Sequence, residues 1–404
     1  MTSRRQALAA LGLAAGAAAG FGRPARAAAP LKLGVMTDMS GVYSSATGIG
    51  SVQAVKMAVA DALAGPCKGM DIQVLSADHQ NKPDVGATIA REWFDREGVA
   101  AAIDMSNAAL QLAIPPLAAQ KNRMAIFAGG TARLSGDACY PDNIVQWMWD
   151  TYVQVAAVAG RLTRPGTSWF LVTADYALGA QLEKDAKTII TAKGGRYLGS
   201  VRHPFPSRDL SSQIQTAMAS GADYIAFANA GGDTDNAIKT AHEFGLPNGK
   251  QKIAAFFLTL TDLHSLGPSV ASGALLAESY FWNLDDGTRR FARRFTAVHG
   301  GMPSVIHAGL YSATLHYLKA VAATGSRDPK TVIAKMRELP IVDDVVRNAR
   351  LRPDGRMVHD YYILRAKTPA ESKGAWDLET LLDVVPGDEA FRPMSAALCP
   401  RLRA

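Results

Sequence analysis

At 404 residues, with 48% hydrophobic and 20% charged residues, the chain has the composition of a compact globular protein and exceeds what one core usually organises, so two domains are expected. Its formal net charge of +7 overstates its basic character: residues 1–27 carry four arginines and no acid, which leaves +3 on the rest. No basic run is interleaved with aromatics, so nucleic acid binding gains no support, and no segment after the N-terminus approaches a transmembrane length. The chain opens with Arg4 and Arg5, an uncharged Ala/Leu/Gly run from Ala7 to Gly22, and small residues at Ala25 and Ala27. This is an export signal with cleavage expected after Ala27, too weakly apolar to anchor in a bilayer. The paired arginines suit the twin-arginine route, and the missing Phe after SRRQAL leaves the general secretory route open.

From Leu31 onward short apolar runs alternate with longer amphipathic ones. Strands are expected at 31–36, 71–78, 99–105, 123–129, 168–175, 195–201, 222–230, 252–258 and 275–283, with helices near 50–63, 84–96, 109–121, 150–161, 178–193, 208–219, 233–244, 288–299 and 304–323. Such alternation implies βαβ units and parallel sheets, and the continuous apolar strands imply helices on both faces. Near the end, DGRMVHDYYILRAK reads as an isolated turn and strand. The chain is expected to build one α/β lobe, cross to a second and return, with a ligand site between the lobes at the carboxyl ends of strands.

The segment GIGSVQ, residues 48–53, invites a dinucleotide reading, but it lacks a third glycine and stands a long loop away from strand 31–36. A phosphate-cradling GxxxxGK[ST], a GxSxG elbow and an HExxH pair are all missing. No cofactor and no metal are therefore expected. His79, in ADHQNKPD, reads as a surface turn residue. Cys67, Cys139 and Cys399 allow one disulfide and one spare thiol.

What remains is a set of hydroxyl-bearing loops directly after strands. MSNAALQ (105–111) and AGGTARL (128–134) place Ser, Asn, Thr or bare glycine backbone at helix starts, where N–H groups favour an anion such as a carboxylate. Ordinary N-capping by Ser106 and Thr131 is the competing reading. In NIVQWMWDTY, alternation along a strand would send Trp147 and Trp149 to one face, to stack on a ligand or to pack in a core. In TADYALG and ANAGGDTDNA, the side chains of Asp175, Tyr176, Asp233 and Asp235 could receive a cation or a polar group, and Asp233 could equally cap the following helix.

Taken in order, DMSGVYSSATGIGSVQAVKMAV, DYALG after a strand, ANAGGDTDNAIKTAHEFG, SYFWNLDD and HAGLYSATLHYLKA resemble the substrate-binding proteins of ABC importers, in the leucine/isoleucine/valine-binding branch of the type I periplasmic binding fold. The resemblance covers essentially the whole chain after the leader. It implies an α/β fold of two doubly wound lobes joined by three hinge crossings, with residues 31–148 and 284–344 in the first lobe, 149–283 and 345–390 in the second, and 391–404 returning to the first. It also implies a periplasmic monomer that binds a small carboxylate without enzymatic chemistry and hands it to an ABC permease and ATPase. A ligand-sensing receptor of the same fold is the alternative. By the same resemblance Tyr43 is a lid, Ser106, Asn107, Gly129 and Thr131 receive the carboxylate, and Tyr176, Asn229 and Asp233 complete the site, Asp233 standing where an ammonium would pair. Trp149 and Trp282 would lie near crossings, and Cys139 and Cys399 would form a disulfide tying the tail to the first lobe.

Overall fold

The computed structural model describes residues 29–394 and 398–402; the expected leader and its expected cleavage after Ala27 lie outside them. The chain begins β1 (Leu31–Thr37), α1 (Gly48–Ala64), β2 (Ile72–Asp78), α2 (Pro83–Glu92), β3 (Ala101–Asp104), α3 (Ala108–Gln120), β4 (Met124–Gly130) and β5 (Ile144–Asp150). These strands form one parallel sheet in the order β2-β1-β3-β4-β5. The order reverses at β1, so the C-terminal ends of β1 and β3 flank a topological switch point, the place where open α/β sheets hold ligands.

After Asp150 the chain crosses to a second sheet through α4 (Thr151–Leu162), β6 (Ser168–Ala174), α5 (Ala177–Ala192), β7 (Arg196–His203), α6 (Ser211–Ala219), β8 (Tyr224–Ala228), α7 (Gly232–Glu243), β9 (Lys252–Ala255), α8 (Leu260–Leu266) and β10 (Leu275–Glu278). It returns to the first sheet with α9 (Asp286–His299), α10 (Val305–Thr324) and α11 (Pro329–Glu338), and lays a small ribbon, β11 (Arg350–Leu351) and β12 (Met357–Val358), beside β5. A last crossing leads to β13 (Tyr361–Ala366), β14 (Glu379–Val385) and the single turn α12 (Gly387–Ala390). The second sheet runs β14-β13-β10-β9-β8-β6-β7, antiparallel only where β13 joins β10 and β14. Two α/β lobes thus share three crossings. The expectation of a lone turn and strand after α10 missed α11 and β14. The first starts at Pro329 behind an Asp328 cap, and the second is partly exposed and only loosely alternating.

Two sequence features find their reason in packing. Helix α10 is apolar nearly all round because α1, α11, β4 and β5 enclose it, the condition under which an all-round apolar helix is stable. The GIG of residues 48–50 belongs to the first turn of α1, which starts at Gly48 and not near Ser51. Gly50 lies against the His307 ring so closely that a Cβ would collide with it, and His307 Nε2 sits 2.8 Å from the Thr47 carbonyl oxygen. His79 is fully buried, contrary to its reading as a surface residue: its loop folds inward, and the ring Nδ1 accepts the Asn81 N–H at 3.0 Å.

Cys139, in the loop before β5, is bonded to Cys399 in the tail, and Cys67 is a buried free thiol. The bridge closes 260 residues of sequence. Replacing Cys399 with Ser should cost about 2–4 kcal/mol, since the cross-link no longer limits the unfolded chain; guanidinium midpoints with and without reductant check this, the variant matching the reduced parent.

The second lobe gathers four carboxyl groups near one another: Asp262, Glu278 and Glu379 are buried and Asp235 is half-buried. Burial pushes Asp235 and Glu379 up to about 8, with Asp262 adding to the rise at Asp235. A folded-state value above the unfolded one means the folded form holds the proton longer, so stability is lost as pH rises from the unfolded value toward 8. Glu379→Gln should therefore gain thermal stability relative to the parent at pH 8 and little at pH 4, read as melting temperature against pH.

Candidate functional site

The β3–α3 turn is built by an unusual backbone. Asp104 and Met105 adopt φ of 83° and 58°, in the left-handed region that few residues other than glycine occupy. Met105 N–H donates to the Met36 carbonyl at 2.7 Å, which pins the turn to β1. Asn107 then caps α3, its Oδ1 accepting from the Ala109 and Leu110 N–H groups at 3.0 Å each, while its Nδ2 donates to Asn81 Oδ1 at 2.6 Å. The cap is Asn107 and not Ser106. Ser106 Oγ is left buried without a partner, as is Asp104 Oδ2.

Opposite this turn β4 ends in Gly129–Gly130. Gly129 pairs with Trp149 across the β4–β5 ladder, and a Cβ on Gly129 would run into the indole. The bare backbone lets Trp149 lie over the strand end, where it meets Phe257 of the second lobe with ring centroids 4.6 Å apart. Trp149 Nε1 is buried and unpartnered. Gln111 braces the wall: its Nε2 donates to the Gly129 carbonyl at 2.8 Å, and its Oε1 accepts the Thr131 N–H at 3.2 Å. Trp147 is core: its Nε1 donates to Ser312 Oγ at 2.8 Å.

These elements line a cavity between the lobes. The first lobe contributes Tyr43, Ala46, Thr47, Asp104, Ser106, Asn107, Ala108, Gln111, Ala128, Gly129, Gly130, Trp149 and Ile306, and the second Leu178, Ala230, Gly231, Phe257 and Asp262. At the rim Tyr43 OH lies 2.8 Å from Tyr176 OH, and Tyr176 stacks on Phe205 at 4.0 Å. Burial raises both phenols, so they meet as neutral groups.

Of the residues singled out in the sequence, the fold brings Tyr43, Ser106, Asn107, Gly129 and Trp149 to the cavity wall. Tyr176 meets Tyr43 at the rim. Thr131 stands behind the wall, its hydroxyl accepting the Arg133 N–H at 3.3 Å. Asn229 and Asp233 form a buried polar chain with His203: Asn229 Nδ2 lies 2.9 Å from His203 Nε2, and Asp233 Oδ1 accepts the Ser207 N–H at 3.0 Å. Trp282 packs between the cores beside the crossing from β10 to α9. Asp175 pairs at the surface with Arg202, 2.9 Å away.

The sequence reading missed two acids on the wall. Asp262 is the third helical residue of a capping box, its Oδ2 accepting from Thr259 N–H and Oγ1 at 2.9 and 2.8 Å. The TLTD spacing carries that box, and nothing local marks its other oxygen as facing a cavity. Burial raises Asp262, opposed by the Thr259 bonds. Asp104 is pushed up to about 6, chiefly by burial; the Thr37 and Ser51 hydroxyls beside it pull the other way and Asp38 adds to the rise. Among the described residues no group of three or more His, Cys, Asp or Glu is placed to hold a metal ion.

Two doubly wound lobes hinged by three crossings around an interlobe cavity at a switch point are the architecture of type I periplasmic binding proteins. The chain belongs to the periplasmic binding protein family, whose family model matches residues 30–375. It is similar to a periplasmic binding protein of Burkholderia mallei, at 39% identity over 92% of this chain and 98% of that one with a TM-score of 0.86. A branched chain amino acid ABC transporter periplasmic ligand-binding protein of Burkholderia xenovorans is 41% identical over 91% and 99% of the two chains, with a TM-score of 0.83. A Leu/Ile/Val-binding protein homolog of Brucella abortus is 26% identical over 319 residues, 71% of this chain and 80% of its own.

The packing of Gly129 on Trp149 is directly testable. Gly129→Ala should destabilise the protein by about 1–3 kcal/mol, the usual cost of overpacking, and should alter the indole bands in near-ultraviolet circular dichroism. An unchanged spectrum at parental stability would show that the indole has room to spare.

Proposed function

We propose that this chain is the solute-capturing component of an ABC importer: exported to the periplasm with its leader cleaved near Ala27, it holds one small carboxylate between its lobes as a monomer. It delivers that solute unchanged to a membrane permease and its ATPase. The observation that carries this reading is the asymmetry of the cavity. On the first-lobe side the Ser106 hydroxyl, at the N-terminal end of α3, offers a donor suited to an anionic end. Trp149, Phe257, Leu178 and Ile306 offer an apolar enclosure for the rest of the molecule. Likeness to a branched chain amino acid ABC transporter ligand-binding protein at 41% identity supports the transport role. Asp262 is the second-lobe acid on the wall, so the ammonium of an amino acid solute would pair there, whereas Asp233 is turned to Ser207 and His203.

A thermal-shift panel of amino acids against aromatic and aliphatic acids tests the reading, because a ligand of the native state raises its apparent stability. One carboxylate class should raise the melting temperature, and mass spectrometry should recover the bound compound unaltered. Ser106→Ala should weaken that compound by about 1–3 kcal/mol in calorimetry, leaving a carboxylate oxygen unpaired. Turnover of the compound during incubation would sink the transport reading.

A further inference from the structure

A carboxyl group on the wall of a cavity read as a carboxylate site is a contradiction that the geometry itself poses. Asp104 is 2% exposed, lines the cavity, and leaves Oδ2 without a hydrogen-bond partner. It stands two residues before Ser106, whose buried hydroxyl is also unpartnered. The backbone that aims it there is strained over two successive non-glycine residues, Asp104 and Met105, and such conformations persist where surrounding structure over-determines them, commonly at functional sites.

Among the described residues no cation pairs with Asp104. The end of β1 brings the Thr37 hydroxyl, the residue after it is Asp38, and α1 brings Ser51. The cavity wall also carries Tyr43, with a neutral phenol, and Asp262 of the second lobe. Of these, the Asp38 charge acts on Asp104 and pushes it toward the protonated form. Two ionised carboxylates cannot share such a site; one proton between them turns repulsion into a short charge-assisted hydrogen bond.

We propose that Asp104 receives the solute's carboxylate as a carboxylic acid, its acid O–H donating to the solute, so that capture takes up one proton from water for each anion bound. This rests on the carboxylate reading above and deepens it: the site selects an anion by supplying a proton donor in place of a basic side chain. The sign follows from linkage. An anion that binds only the protonated form loses affinity as pH rises above the value of the free site, about 6, approaching tenfold for each pH unit.

The test uses the mature protein with benzoate and L-leucine as probes, titrated calorimetrically from pH 5.5 to 8 in two buffers of different ionisation heat. The expected result is an affinity for one probe that falls toward tenfold per unit above about pH 6, with close to one proton taken up per solute at pH 7. Asp104→Asn, whose amide also donates, should bind that probe with a flat pH profile and no proton uptake. A flat parental profile, proton release, affinity rising with pH, or a slope retained in Asp104→Asn would each overturn the proposal while the transport reading stands. Failure of both probes at every pH would instead overturn the carboxylate reading, and this proposal with it. The proton count on the parent protein decides the matter even if the variant fails to fold.

Discussion

The arrangement of the lobes depends on one buried cation. Arg356, in the turn before the third crossing, is almost wholly buried, and its guanidinium lies 3.2 Å from Asp150 Oδ2 at the end of the first. It also donates to the Met148 and Trp149 carbonyls at 2.6 and 3.3 Å and covers the Phe391 ring at 4.3 Å. Burying a guanidinium costs several kcal/mol unless its partners are good, and breaking such a pair by removing one partner is far worse than never having had it. Burial lowers Arg356 to about 10, with Asp150 opposing, so it stays charged at neutral pH. Asp150 uses its other oxygen to cap α4, accepting from the Val153 N–H at 2.9 Å. One ion pair therefore joins two crossings and the first helix of the second lobe, and it holds the carbonyl of Trp149, whose indole forms the cavity wall.

The cavity inherits its chemistry from that fixed frame. A switch point between β1 and β3 supplies strand ends, the strained turn at Asp104 directs a carboxyl inward, and Gly129 yields room to an indole. Each is a local cost, and each is carried by elements whose own packing is complete: β3 and β4 are buried throughout, and the α3 cap satisfies two N–H groups with a single Asn. Strain of this kind survives because the surroundings leave the turn no other conformation.

The alternation of strands and helices, and with it the two-lobed α/β class, was legible because short continuous apolar runs set between longer amphipathic ones are a global signal, repeated along the chain. The loops after β3 and β4 were legible as candidate sites because hydroxyls and glycines after strands have few other uses. What escaped was whatever depends on tertiary placement. Asp104 reads as the polar end of a strand, and its left-handed backbone leaves no trace in residue type. Asp262 reads as a capping acid, which it is, and its place on the wall depends on how α8 sits in the second sheet. Asp233 stood out because it reads as lying in a loop directly after a strand. Arg356 reads as any arginine in a turn until β12 is laid against β5.

Closure of the lobes is the step where these features combine. Across the rim the first lobe offers Tyr43 to Tyr176 and to Phe205, whose ring lies 6.5 Å away. A hydrogen bond between neutral phenols is worth about 0.5–1.5 kcal/mol net, and an aromatic contact a similar amount. Contacts of that size hold a closed arrangement only weakly, and a ligand shifts such an equilibrium by no more than its differential affinity for the two states. On the proposed reading the difference is large. Its anionic end meets Ser106 and Asp104 on the first lobe in either state, but its body meets Phe257 and Leu178 only when the lobes are together. The charge contacts then select the solute, and the apolar contacts from the second lobe drive closure.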